Sequence, residues 1–279
     1  MEYLMTYGWA ILVIAVVLGV LFQLGAFSTA NFAPKAKSGQ CQVQVVGSGS
    51  SSTHQLAGLC SAELPQFVGQ FNGNQYVGIS PVSAQIGSFT VTAWVLTTAP
   101  TNGAWGTIFE TNQFDFERYG NAFAPPPSNG FVLRWIGGAS ASTPTPLPQN
   151  TWAFVAVTKQ NNVASLYYNG QLMSTQGANA IPQTVNSIRI GEAGLSGIGG
   201  LDQWSGSISN VQFYNAALSQ AEITALYDEG IGGAPVRPQN VTGWWPLNGD
   251  TNDYGGNNYN GQNNGVGYSS YWTNGYSAP

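Results

Sequence analysis

The chain has 279 residues, of which only 7% are charged, against about 25% in ordinary soluble domains. Seven Lys and Arg against twelve Asp and Glu leave a net charge of −5, which excludes the basic patch that a nucleic-acid partner requires. With 36 Gly and abundant Asn, Gln, Ser and Thr, the surface is expected to consist of amides, hydroxyls and aromatic rings.

The first element in chain order is EYLMTYGWAILVIAVVLGVLFQLGAF, residues 2–27, with no charged side chain between Glu2 and Lys35. A helix rising about 1.5 Å per residue needs about 20 apolar residues to cross a hydrocarbon core of about 30 Å, and this run is long enough. A cleaved secretory signal has a shorter apolar region, about 7–15 residues, behind a basic start. The expectation is an uncleaved membrane-spanning helix at 1–27. EYLMTYGWAILVI also resembles the start of mature archaeal pilin-like proteins that carry class III signal peptides. That resemblance implies a helix that is first a membrane anchor and then the packed core of a homo-oligomeric filament. Glu2 matches the glutamate that sets subunit register there; a solvated terminal residue is the other reading.

Residues 28–40, STANFAPKAKSGQ, read as a polar stalk. Cys41 and Cys60 bracket a Gly/Ser-rich stretch, expected as a loop, in a manner that suits an extracytoplasmic disulfide; two unpaired thiols are the alternative. Closing a loop of that length stabilises a fold by about 3 kcal/mol in the chain-entropy model. The bulk of the chain is therefore expected outside the cell, where Asn240-Val241-Thr242 becomes a glycosylation sequon.

From there to the C-terminus the pattern is strands and turns. SFTVTAWVLTT at 88–98 and TWAFVAVTK at 151–159 are apolar on both alternating faces, as inner strands of a sandwich are. Asn169-Gly170 between apolar runs marks a hairpin. NSIRIGEA and GSISNVQFYN add strands. One helix is expected in ALSQAEITALYDEG, where Ser219 and Glu222 form a capping box, Leu218, Ile223, Leu226 and Tyr227 form an apolar stripe and Gly230 ends it. Many strands with one short helix predict a mainly β, antiparallel jelly-roll sandwich.

The order FVGQFNGNQYVGI, SFTVTAWV, TWAFVAVTKQNNVASLYYNGQLM, SIRIG and WSGSISNVQFYNAALSQAEITALY resembles a laminin-G-like, concanavalin A-like lectin domain over residues 66–267. The segment GWWPLNGDTNDYGGNNYNGQNNG resembles the piece that usually opens such domains, yet here it lies near the C-terminus. The expectation is one sandwich over 41–279 with a permuted strand segment at 243–267; a truncated second domain is the alternative.

Concanavalin A-like folds include glycosidases, which need two carboxylates flanking the scissile bond. The acidic cluster is Glu110, Asp115 and Glu117. Asp115 and Glu117 share a strand face, Glu110 is out of step with the tight motif of the hydrolases, and Arg118 is placed to balance the acids. His54, the only histidine, falls in the Ser-rich stretch, so neither a catalytic triad nor a His-based metal site is expected.

Asp250, Asn252 and Asp253 supply hard oxygens of the kind Ca2+ prefers, with a polar turn held by Asx hydrogen bonds as the other reading. Trp94, Trp152 and Trp244 or Trp245 are expected in the core. Trp105, Tyr119, Trp135 and Trp204 sit near turns, where exposed rings stack on sugars. The expected protein is a membrane-anchored, extracellular lectin-like domain with glycans or glycoproteins as partners, and no enzyme. A purely structural filament subunit and an anchored glycoside hydrolase are the alternatives.

Overall fold

A computed structural model of the chain describes Val13, Ile14, Val17 and residues 40–47, 50–57, 63–99, 105–119, 130–135, 140–143, 145–178, 183–195, 202–277 and 279. Val13, Ile14 and Val17 are helical and exposed. The rest of the apolar segment, Glu2, residues 28–39 and Cys60 lie outside the described residues, so the anchor, the filament register and the Cys41–Cys60 pairing remain sequence expectations. Among the described residues no helix is long and apolar enough to cross a membrane.

The stretch expected as a Gly/Ser-rich loop is largely a hairpin. Alternating Gln and Val in QCQVQVVG form β1 (Gln40–Gly47), which pairs antiparallel with β2 (Ser50–Ala57) and parallel with β3 (Glu63–Pro65). His54 is therefore a strand residue, opposite Val43.

Two antiparallel sheets follow. The first has the order β11 (Ser140–Thr143), β10 (Gly130–Trp135), β9 (Phe114–Tyr119), β8 (Gly106–Thr111), β16 (Ile188–Ile190), β5 (Tyr76–Ile79) and β19 (Gln262–Asn264). The second runs β14 (Gln171–Gly177), β13 (Val163–Tyr168), β12 (Trp152–Gln160), β7 (Phe89–Thr97), β17 (Ser205–Tyr214), β4 (Val68–Asn72) and β20 (Gly267–Ser269). Strand β18 (Val241–Trp245) pairs with the second half of β17, and β6 (Ala84–Ile86) with β15 (Gln183–Val185). The C-terminal segment thus supplies strands to both sheets: β19 and β20 are edge strands, and β18 extends β17.

Period-two alternation explains why the central strands are apolar on both faces. Phe89, Val91, Ala93 and Val95 of β7 enter the core between the sheets, against Phe109, Phe114 and Phe116 of the first sheet. Phe89 and Phe114 stack at 4.4 Å, and each fully buried ring of this size contributes about 1.5–3 kcal/mol of burial. Trp94 of β7 and Trp152, Phe154 and Ala156 of β12 point the other way, into a second core. That core is roofed by helix α1 (Gln220–Asp228), through Ile223 and Leu226, and by Trp272 near the C-terminus.

Local signals act where they were expected. Asn169 and Gly170 take φ 46° and 75° between Tyr168 and Gln171, the geometry of a type I′ hairpin. The capping box of α1 forms: Glu222 N–H donates to Ser219 Oγ, and Ser219 N–H to Glu222 Oε2 at 2.8 Å. Gly230 follows the C-cap at φ 81°.

Candidate functional site

Helix α1 covers the outer side of the second sheet; the outer side of the first sheet carries polar chemistry. Register lines up one residue from each of six strands. Gln262 on β19 faces Gly78 on β5, and Gly78 faces Arg189 on β16. Arg189 faces Glu110 on β8, Glu110 faces Asp115 on β9, and Asp115 faces Arg134 on β10. Directly opposed residues project to the same side. Their strand neighbours Val77, Ile190, Phe109, Phe114 and Phe116 lie in the core, so the row points away from it.

One end of the row is acidic. Thr111 Oγ1 accepts the N–H groups of Gln113 and Phe114, both at 3.0 Å, tightening the turn that brings Glu110 opposite Asp115. Glu110, Asp115 and Glu117 are all fully buried. Glu110, out of step with the hydrolase motif along the chain, joins Asp115 and Glu117 through cross-strand pairing, which spacing along one strand does not express. Glu110 Oε1 accepts the N–H groups of Gly194 and Leu195 at 3.0 and 2.8 Å, tying the loop after β16 to the sheet.

The balancing cation is Arg134, not Arg118. Arg118 alternates to the other face, opposite core residue Phe131, where burial lowers its pKa. Arg134 Nη2 lies 3.5 Å from Asp115 Oδ2 and 3.1 Å from Asp202 Oδ2, and its Nε contacts Glu117 Oε1. Its guanidinium also sits 4.4 Å from the Trp105 ring centroid. Burial outweighs the pull of Arg134 on Glu117, whose pKa is pushed up to about 9 with help from Asp115 and Asp202. Asp202 is raised as well, again by burial first. Burial thus favours the protonated form of Glu117 even beside Arg134.

The other end of the row is open. Tyr76, Gly78, Ser80, Ser187, Arg189, Leu195, Asn260, Gln262 and Asn264 help line a pocket of about 270 Å³. The pocket exists partly because residue 78 lacks a side chain: a Cβ there would lie 3.3 Å from Tyr76 Cε2 and 3.4 Å from Asn264 Nδ2. Arg189 is stacked 4.5 Å from the Tyr76 ring centroid and donates from Nη1 to Glu192 Oε1 at 3.1 Å.

The loop that delivers Asn260 and Gln262 is organised by the residues expected to hold Ca2+. Asp253 Oδ1 accepts the N–H groups of Trp244 and Gly255, and Oδ2 accepts that of Tyr259. Asp253 N–H donates in turn to Asn260 Oδ1 at 2.9 Å. Asp250 accepts from Asn252 N–H, Asn252 Nδ2 and the Tyr254 hydroxyl. These oxygens are engaged in Asx-type turns that shape the loop. Among the described residues no group of three or more His, Cys, Asp or Glu side chains is arranged for a metal ion.

Two of the four expected stacking rings are buried. Trp204 is 1% exposed and belongs to the core between the sheets. Tyr119 is buried, with its hydroxyl donating to Thr143 O at 3.1 Å. Trp105 is half-buried under Arg134, and the Trp135 side chain lies outside the described residues. The aromatic that borders the pocket is Tyr76. Scarcity was the signal available for the remaining residues: the chain has four Arg, and two of them, Arg134 and Arg189, stand on this face.

The architecture is that of an antiparallel lectin-like β-sandwich with a polar outer sheet face. Residues 71–224 match the Laminin_G_3 family model, the concanavalin A-like lectin/glucanases superfamily, and the chain belongs to that family. No curated protein matches the sequence. Among solved structures, a Bacteroides ovatus protein described as a candidate carbohydrate binder is similar at 19% identity and TM-score 0.60, covering 80% of this chain. The chain spans 64% of that protein's length. A heptameric SAP-like pentraxin from Limulus polyphemus is similar at 17% identity and TM-score 0.49, over 61% of this chain and 84% of its own. At 19% identity the likeness to the Bacteroides ovatus protein is one of fold.

Proposed function

We infer that the chain is a cell-surface glycan-binding protein that takes a sugar unit in the pocket between β5, β16 and β19. The observation that carries this reading is the row Gln262–Gly78–Arg189, where a glycine opens a cleft walled by a tyrosine, an arginine and side-chain amides. Amide and hydroxyl groups at fixed positions match sugar hydroxyls, and an aromatic edge suits the apolar face of a pyranose. At about 270 Å³ the pocket is smaller than the roughly 300–1,000 Å³ of drug-sized sites, which suits one ring of a longer glycan. In this reading residues 1–27 anchor the sandwich to the membrane or build it into a filament, and its partners are glycans or glycoproteins outside the cell. Single sites of this kind are weak, and an array of copies raises avidity by about 10²–10⁴ without new contacts.

The deciding experiment is a neutral-glycan panel read with the full chain in solution and again displayed on beads. Clear binding by the beads and weak binding in solution support the reading. Beads that bind no glycan, with or without Ca2+, replace it with a structural filament subunit.

One observation favours a second reading, an anchored glycosidase. Asp115 and Glu117 stand two residues apart on the same face of β9, and burial pushes the pKa of Glu117 up; a pair of carboxyl groups, one favouring its acid form, is what glycoside cleavage uses. New reducing ends released from a bound glycan by the native protein, and abolished by Glu117→Gln, would establish it. Binding without release keeps the protein a binder rather than an enzyme.

A further inference from the structure

The pocket holds one charged side chain, Arg189, and the groups around it determine which sugars it accepts. Its described polar contacts run through Nη1, which donates to Glu192 Oε1 at 3.1 Å and to Ala193 O at 3.5 Å. Glu192 is 8% exposed and is fixed by a backbone bridge to Gln203. A second carboxylate, Glu110, is directly opposite Arg189 on β8 and fully buried. The guanidinium is further immobilised against Tyr76. The rest of the polar lining, Ser80, Ser187, Asn260, Gln262 and Asn264, is uncharged.

The charge of Arg189 is therefore already answered. A sugar carboxylate brought to it would share the guanidinium with Glu192 and face Glu110, in a half-buried position where salt screens little. A pair of vicinal hydroxyls meets no such opposition, and the Nε/Nη2 edge presents two parallel donors to them. The geometry points to a pocket selective for neutral sugars over uronic and sialic acids, with Glu192 as the specificity-determining residue. This inference rests on the reading of the pocket as a sugar site and goes beyond it to the class of sugar.

The test uses full-chain protein on beads with matched polymers: glucan and glucuronan, mannan and mannuronan, galactan and galacturonan, plus the methyl esters of the three uronans. The wild type is expected to prefer the neutral member of any pair it binds by about tenfold or more, since like charge at a contact suppresses the wrong partner. Methyl esterification, which removes the charge and keeps the backbone, should restore binding. Glu192→Gln keeps an acceptor for Arg189 and removes the competing charge, so it should narrow the neutral-to-uronate ratio about tenfold while neutral binding persists. Wild-type protein that binds uronans as tightly as their neutral partners or their esters overturns the inference, whatever the variant does, and leaves the sugar site standing. A folded Glu192→Gln protein with an unchanged ratio also overturns it. Absence of binding to every polymer removes the sugar site and the inference together.

Discussion

Glu110 and Asp115 face each other across the β8–β9 hairpin, both fully buried on the outer side of the first sheet. Like charges directly opposed across strands are destabilising, so the fold provides each with its own answer. Glu110 takes two backbone N–H groups from the loop after β16, and Asp115 takes Arg134. Burial pushes the pKa of Glu117, next in the cluster, up to about 9, which favours its proton even beside Arg134.

That proton makes stability depend on pH. Glu117 has a folded pKa of about 9 against a usual 4.5, so above about pH 4.5 the unfolded chain releases a proton that the folded chain retains. The associated stabilisation is complete below about 4.5 and is lost as pH rises through about 9. Asp202, also raised, acts in the same direction. Urea midpoints should fall from about pH 5 to about pH 9 in the wild type, and Glu117→Gln should flatten the decline. A wild-type midpoint that rises over this range contradicts the assignment.

Filling the pocket should separate binding from folding. Gly78 lies in a strand with ordinary backbone, and a side chain there meets Tyr76 and Asn264 at the edge of van der Waals contact. Gly78→Val is expected to reduce glycan binding at least about tenfold while costing no more than about 1–3 kcal/mol of stability, the usual range for modest overpacking. Undiminished binding by the folded variant would move the site elsewhere.

Asp253 should behave as an organiser of the pocket wall. Removing the carboxylate in Asp253→Ala strips three backbone N–H groups of their acceptor; about 1–3 kcal/mol of stability should be lost, the cost of an unsatisfied buried group. Millimolar Ca2+ should leave the wild-type melting temperature unchanged, because binding to the folded state would raise it by mass action. A rise of several degrees that disappears in Asp253→Ala would place a calcium ion there.

Trp204→Ala tests the relocation of that ring from surface to core. A buried tryptophan replaced by alanine costs about 3–5 kcal/mol, so calorimetry should record a large fall in melting temperature, comparable to that of Trp152→Ala, whose indole N–H is bonded to Trp272 O at 2.8 Å. Unchanged stability with lost glycan binding would return Trp204 to the surface.

Binding itself should change little with ionic strength. The polar lining is uncharged apart from Arg189, which is paired with Glu192, and interactions carried by hydrogen bonds and ring contacts are not screened as exposed charges are. Affinity that falls tenfold between low and high salt would point to an ionic ligand.

The sequence by itself determined what depends on near neighbours along the chain. The Asn169-Gly170 turn, the Ser219–Glu222 capping box, the Gly230 stop and the doubly apolar strands at Phe89–Thr97 and Trp152–Gln160 are local in cause, because turn geometry, caps and period-two alternation act over a few residues. Those strands alternate between two cores, which the run of apolar residues announced without saying what would cover each face. Tertiary structure alone decided the site. Gln262 and Gly78 are paired although 184 residues apart in the chain, Glu110 meets Asp115 through a hairpin register, and Arg134 rather than adjacent Arg118 balances the acids because strand alternation sends neighbours to opposite faces. Trp204 and Trp105 look alike in sequence, near turns and polar residues; one is sealed in the core and the other lies under a guanidinium, since burial is set by what the other sheet and the distant loops bring to cover them.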